Sequence, residues 1–312
     1  MSTQSVPFVV IPRFQVKPWG LLAYDRVESL RPRIRNQKRA ADKIVVPGYT
    51  PAAEPIKQYT GQLTPYAKKK LTRAIQLMVA SAKDKEAPNF KTGTTFKFKV
   101  NFITMTLPCP QGDVTDKELK KFALDNFIKR LKRKYGLQSY VWRAERQKNG
   151  NLHFHMITDC WMHYEKLRND WNAVLNRFGF IDQFQSKHGH RNPNSTDIHA
   201  VWKVKNLTQY FVKYMSKDSP EQDTIEGKLW DCSANLKTKQ NCEFDFEPEV
   251  QEIWNKAFQD PQVKTKVDQH FALIFLSPGQ FDQFVTGSVR DVWHKYLDVI
   301  HSGSNDFTAM VA

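Results

Sequence analysis

Long apolar runs are missing from this chain: none approaches the roughly 20 residues that a membrane-spanning helix needs. The opening MSTQSVPFVVIPRF has no basic segment leading into a long apolar one, so the expectation is a protein without a membrane anchor. Cysteine is scarce, 4 in 312 residues, and Cys109, Cys160, Cys232 and Cys242 form no C-x-x-C pair. Such scattered cysteines read as reduced thiols of a cytoplasmic protein, with a structural zinc site as the alternative. The phosphate-loop pattern G-x-x-x-x-G-K-[ST] does not occur, so no helicase motor is evident. Internal repeats and low-complexity tracts are absent as well. Acidic residues are outnumbered, 32 Asp and Glu against 47 Lys and Arg, which leaves a formal net charge of +15. An excess of that size favours a polyanionic partner, chiefly nucleic acid, although a basic surface can also meet anionic lipid.

What remains is the composition of a folded protein, 40% hydrophobic and 25% charged, long enough for one large domain or two modest ones. Residues 1–93 read as a basic, Pro-containing N-terminal region, in which RVESLRPRIRNQKRAADK looks like a solvated or DNA-facing stretch. One helix stands out there: Thr64 is a cap, Pro65 takes the first helical position, and YAKKKLTRAIQLMVASA carries an apolar face. From residue 94 the period changes to two, with Phe96, Phe98, Val100 and Phe102 alternating with Lys97, Lys99 and Asn101 as one half-buried strand. TDKE at residues 115–118 is a capping box, and the helix it opens should stop at Gly136 with a basic last turn that suits the helix dipole. Two strands then flank Asn149-Gly150, a helix ends at Gly179, TDIHAVWKV is a short strand and NLTQYFVKYMSK is a further helix. That order predicts an α+β fold over residues 94–218, a mainly antiparallel sheet with helices on one face and the other face open for a site. Residues 219–312 form a mixed C-terminal region with helices at EPEVQEIWNKAF and SVRDVWHKYLDVIH.

The hairpin RQKNGNLHFHMITD raises a question of register. A two-residue Asn-Gly turn would set Glu145 opposite Phe154, mixing a carboxylate with core aromatics. A three-residue loop of Lys148, Asn149 and Gly150, with glycine in the left-handed position, sets Glu145 opposite His153 instead. Both strands then sort: Trp142, Ala144, Phe154 and Met156 share the buried face, and Arg143, Glu145, His153 and His155 share the other. Two imidazoles and a carboxylate suit a divalent cation with open positions, whereas an H-x-H pair by itself is as readily an exposed polar face.

NLTQYFVKYMSK carries two stripes. After a cap at Asn206, Leu207, Phe211 and Met215 should face the core, while Tyr210, Lys213, Tyr214 and Lys217 fall at i, i+3, i+4 and i+7. Lysines beside a phenol favour its ionised form and neutralise charge developing on an attacked phosphate. With a metal to polarise the phosphate, these parts specify phosphoryl transfer to tyrosine.

Taken together, these residues resemble the HUH endonucleases, named for His-hydrophobe-His. HFH matches that motif, Glu145 matches the acidic ligand that precedes it in many replication initiators, and FITMT at residues 102–106 looks like their first strand motif. YFVKYMSK is similar to the Y-x-x-K-Y-x-x-K motif of the two-tyrosine rolling-circle initiators of small single-stranded DNA phages, and the His motif precedes the tyrosines as it does there. The resemblance implies nicking of a single-stranded origin through a 5′-phosphotyrosine, in a bacterial host cytoplasm. It implies Tyr210 and Tyr214 as nucleophiles, Lys213 and Lys217 as phosphate-side helpers, and His153, His155 and Glu145 as ligands of Mn²⁺ or Mg²⁺. Gln147 is a weaker candidate ligand. A helicase and a polymerase would come from the host.

A two-tyrosine HUH transposase would share every one of these groups, but typically carries a cysteine-rich zinc finger upstream, and no cysteine precedes Cys109 here. A non-haem iron oxygenase would use the same His and carboxylate set and leave the Tyr-Lys stripe unexplained. A non-catalytic RNA-binding module of RRM type would share the strand-helix order, without the aromatic run such modules use or any need for the His pair. HGH at residues 188–190 reads as a loop.

Overall fold

The computed structural model describes residues 8–29, 61–89, 92–200, 207–217 and 224–303, and they form an α+β fold of helices and antiparallel sheets. The chain opens with two strands, β1 Phe8–Lys17 and β2 Gly20–Ser29, joined by the two-residue loop Pro18-Trp19. Sequence reading assigns no strand here; the basic stretch it treats as solvated begins inside β2, and residues 30–43 of it lie outside the described ones. Helix α1, Pro65–Ser81, starts as its cap predicts, with Thr64 Oγ1 accepting from Ala67 N at 3.1 Å.

The single strand expected from residue 94 is two. After β3 Lys85–Asn89, strand β4 Thr94–Phe98 pairs with it as a hairpin, and the chain breaks at Lys99 and Val100 before β5 Asn101–Met105 enters a larger sheet. Alternation fails in β5, where Asn101, Phe102, Ile103 and Met105 are all buried, because this strand has a neighbour on each edge and cover on both faces. Asn101, expected at the surface, donates from Nδ2 to Cys160 O at 2.5 Å.

The capping box forms: Thr115 Oγ1 accepts from Glu118 N at 3.2 Å and Thr115 N donates to Glu118 Oε2 at 2.9 Å. Helix α2 Asp116–Glu118 continues through a π-helical turn, Leu119–Leu124, into α3 Asp125–Tyr135, which stops at Gly136. Strands β6 Tyr140–Arg146 and β7 Leu152–Thr158 follow, then α4 Tyr164–Leu175, α5 Phe180–His188, β8 Thr196–Ala200 and α6 Leu207–Met215. Last come β9 Trp230–Cys232, β10 Cys242–Asp245, α7 Pro248–Gln259, β11 Lys264–Val267, β12 Phe271–Phe275, α8 Pro278–Phe284 and α9 Gly287–Ser302. Helices α7 and α9 are the two that periodicity predicts in this region; its four strands are not.

The chain divides into two compact units, Met1–Gln58 with Asn241–Asp291, and Tyr59–Gln240 with Val292–Ala312. This differs from three consecutive segments of 1–93, 94–218 and 219–312. The reason is strand pairing between chain ends: Phe14 lies opposite Phe244, and Val16 opposite Cys242. In the first unit the sheet order is β10-β1-β2-β12-β11. Phe14, Val16, Leu21 and Ile274 are buried there, with Val250, Ile253 and Ala257 of α7 buried in the same unit and Trp254 edge-on to Phe14 at 6.2 Å.

In the second unit the order is β8-β5-β7-β6-β9. Ile103, Met105, Trp142, Ala144, Phe154 and Met156 share one core with Phe127 and Leu131 of α3 and Leu167 and Trp171 of α4. A buried carboxylate braces those two helices: Asp170 on α4 accepts from Tyr135 Oη at 2.8 Å and pairs with Arg130 at 3.3 Å and with Lys134. Burial alone would raise the Asp170 carboxyl, but the Lys134 and Tyr135 hydrogen bonds outweigh it and hold the group below the usual carboxylate range. The opposite face is not left open: α6 lies on it, and α1 packs against α6 and β6. All four cysteines are buried and unbridged, and burial pushes Cys160, Cys232 and Cys242 up to about 12. Among the described residues no helix is long and apolar enough to cross a membrane.

Candidate active site

The β6–β7 hairpin closes with the three-residue loop. Gln147 N donates to Asn151 O at 2.9 Å and Gly150 N to Gln147 O at 2.9 Å, with Gly150 at φ +80°, a left-handed conformation that costs other residues but not glycine. Glu145 therefore lies opposite His153 and Arg143 opposite His155, while Trp142 and Ala144 face the core with Met156 and Phe154. Asn151 braces the turn, donating to Cys109 O at 2.9 Å and accepting from Gln111 N at 2.9 Å.

On the face under α6 the two imidazole rings stand 4.5 Å apart at 77°. Glu145 Oε2 is 3.4 Å from His155 Nε2, and His155 Nδ1 is 3.4 Å from Thr104 Oγ1. Burial would raise the Glu145 carboxyl, but the His155 hydrogen bond and the Arg143 charge prevail and hold it below its ordinary value, so it is anionic at neutral pH. His153 is pushed down to about 4, first by burial and then by the neighbouring His155. It is therefore a neutral imidazole at pH 7, with a nitrogen lone pair available. Its Nδ1 is buried and has no hydrogen-bond partner among the described residues, a costly state that a ligand would relieve. A pocket of about 520 Å³ opens over both histidines and Glu145, walled by Arg146 and the loop residues Gln147, Lys148 and Asn149.

These donors fit a divalent cation in kind, since neutral imidazole nitrogen and carboxylate oxygen are both suitable ligands. In placement they are not yet a cage: among the described residues no three His, Cys, Asp or Glu side chains are gathered around a common point that could hold an ion. Glu145 is turned toward His155 and Arg143.

Arg143 departs from expectation. Sequence alternation sets it on the site face, and it is on that face, but wholly buried. Its Nη1 donates to Met215 O, at the end of α6, at 2.6 Å, and its Nε is 3.3 Å from Glu145 Oε1. The sequence signal was the alternation itself; the burial comes from α6.

On α6 the two stripes separate as the spacing predicts. Phe211 and Met215 are fully buried, Tyr210 is half-buried, and Lys213, Tyr214 and Lys217 are exposed. The cap assigned to Asn206 lies outside the described residues. The tyrosine rings are 4.7 Å apart. Phe102, on β5, connects this helix to the histidines: its ring stacks on His155 at 5.3 Å and 16°, on Phe211 at 5.9 Å, and meets Tyr214 at 6.3 Å. Burial, then the neighbouring Tyr214, raises the Tyr210 phenol above its ordinary value. The structure thus brings Glu145, His153, His155, Tyr210 and Tyr214 to one face, with Lys213 and Lys217 at its solvent edge. The HGH segment stays apart in type: His188 ends α5, a helix that sequence reading did not foresee, and both His188 and His190 pack on Phe184, at 4.3 and 5.2 Å.

Residues 100–219 match the model of one family, the replication-associated proteins of the ORF2 type, and that segment contains every residue of this face. The match supports a role in DNA replication of the initiator type. No curated protein and no solved structure matches the chain.

Proposed function

We propose that the chain is a two-tyrosine rolling-circle replication initiator of the HUH kind, which nicks and rejoins single-stranded origin DNA through a 5′-phosphotyrosine. The observation that carries this reading is the common face: a buried His-Glu hairpin and a two-tyrosine helix joined by the ring of Phe102. The roles follow from the geometry. A phenol oxygen attacks the scissile phosphorus, the new P–O bond to tyrosine forms as the P–O3′ bond breaks, and the departing 3′ oxygen takes up a proton to become the primer hydroxyl. Lys213 and Lys217, exposed beside the phenols, neutralise charge on the phosphate as it is attacked. Burial keeps His153 neutral, and the Arg143 charge keeps Glu145 ionised, so both retain lone pairs for a cation. A divalent ion, Mn²⁺ or Mg²⁺, held by His153, His155 and Glu145 would supply polarisation of a non-bridging phosphate oxygen. The second tyrosine permits a second transfer while the first is still joined to DNA, which closes the displaced circle.

The net charge of +15 suits a DNA backbone. Because no phosphate-loop motif occurs in the 312 residues, helicase and polymerase would be supplied by the host, in the bacterial cytoplasm. The test is incubation with circular single-stranded DNA of the encoding replicon and Mn²⁺ or Mg²⁺, followed by a denaturing gel and mass spectrometry. A covalent adduct on Tyr210 or Tyr214, lost with EDTA, is the expected result. Tight binding without an adduct, across metals and substrates, would overturn the reading.

A further inference from the structure

The two tyrosines are alike in sequence, each followed three residues later by lysine, yet they are not alike in space. Tyr214 meets Phe102, the ring that stacks on His155, whereas Tyr210 packs on Phe211 and Tyr214 itself. Tyr214 also directly precedes Met215, whose carbonyl accepts from the wholly buried Arg143 at 2.6 Å. A guanidinium at the last carbonyl of a helix is favoured by the helix dipole, and its planar fork resists reorientation. The same guanidinium approaches Glu145 at 3.3 Å, and Arg143 lies opposite His155 across the hairpin. The Tyr214 end of α6 is therefore anchored to the His-Glu hairpin through a buried charge.

We infer that Tyr214 makes the first cut and Tyr210 the later transfer, with Arg143 as the positioning residue that holds the Tyr214 end of α6 over the His-Glu face. The assignment rests on the initiator reading above. In the first step the Tyr214 oxygen bonds to phosphorus, the P–O3′ bond breaks, the phenol proton passes to solvent and the 3′ oxygen is protonated. In the later step the Tyr210 oxygen attacks the regenerated junction, and the first 3′ hydroxyl displaces Tyr214 to close the circle.

Chemistry of the chain makes the test direct. Trypsin cuts after Lys205, Lys213 and Lys217, so Tyr210 falls in NLTQYFVK and Tyr214 in YMSK. The full chain is mixed with circular single-stranded DNA of the encoding replicon and Mn²⁺, quenched within the first turnover, and the nucleotide-bearing peptide is identified by tandem mass spectrometry. The expected early adduct is on YMSK. An early adduct on NLTQYFVK, or equal labelling, overturns the assignment while leaving the initiator reading intact. No adduct on either peptide at any time overturns both.

Arg143 is tested by Arg143→Lys and Arg143→Met in Tyr210→Phe and Tyr214→Phe backgrounds. Misplacing a reacting group by about 1 Å costs on the order of a hundredfold, so that loss is expected through Tyr214 and a much smaller one through Tyr210. Equal losses through both tyrosines would mean a general folding defect and would overturn the positioning role. Amide hydrogen exchange without metal or DNA gives a second readout: Arg143→Lys should lower protection at residues 213–215 while β6 and β7 keep theirs. Unchanged protection on α6 would overturn the anchor.

Discussion

Two hairpins in this molecule use glycine for different physical reasons. At the tip of β6–β7, a Cβ on Gly150 would meet nothing within 4 Å; what the position requires is a φ of +80°. At the base of β1–β2, Gly20 has a φ of +146° and a Cβ there would stand 1.9 Å from Ile274 O, on the neighbouring strand β12. The first glycine satisfies its own turn. The second makes room for a strand more than 250 residues later in the chain. The difference teaches which features of a fold are local: the chemistry-bearing hairpin can choose its register from a dozen residues, while the other can be built only when distant chain arrives.

Substitutions can break this contrast or sharpen it. The largest effect expected is at the chemistry-bearing face, where Tyr210→Phe with Tyr214→Phe should abolish the covalent adduct while each single change leaves some cleavage; robust nicking by the double variant would remove tyrosine from the mechanism. His153→Ala should eliminate metal-stimulated cleavage, measured as nicked circle against Mn²⁺ concentration, and an unaltered titration would show that the hairpin is not the site. Gly20→Ala should cost about 3 kcal/mol or more in urea unfolding, because backbone rather than a flexible side chain must give way. Its loss of amide protection should centre on β2 and β12. Gly150→Ala should cost only about 1–2 kcal/mol, the price of a left-handed residue, and should leave Glu145 opposite His153 by NMR cross-strand contacts.

The smallest effect lies beside the hairpin. Burial pushes Lys120 down from 10.5 to about 8, against the opposing pull of Asp116, and its Nζ donates to Glu226 O at 2.5 Å. Between those two values the unfolded chain binds more protons than the folded one, so stability should rise with pH across that window. Lys120→Met should flatten the rise, and a slope unchanged from that of the wild-type chain would place its cause elsewhere.

Particular residues show why part of this was readable and part was not. The β6–β7 register follows from loop chemistry and period-two alternation, both written within residues 142–156. The stripes of α6 follow from helical spacing alone. Strand β1 defeats the same approach: FVVIPRFQVK has Pro12 in its middle, a residue that argues against a strand until it is seen that β10 pairs only from Arg13 onward, leaving Pro12 with β2 on one side. Burial of Arg143 was equally hidden, since its partner Met215 is 72 residues away.

By itself, then, the sequence determined those things that depend on neighbours along the chain: the caps of α1 and α2, the three-residue loop, the alternation that puts Glu145, His153 and His155 on one face, and the two-sided tyrosine helix. Only the tertiary structure decided what depends on encounter. It laid α6 over the second face of the sheet, buried the charge of Arg143 there, distinguished Tyr214 from Tyr210 by its contact with Phe102, and drew both ends of the chain into one sheet. The physical reason is that dihedral preference and side-chain periodicity act over a few residues. Burial and charge pairing depend on which distant surface comes to rest on them.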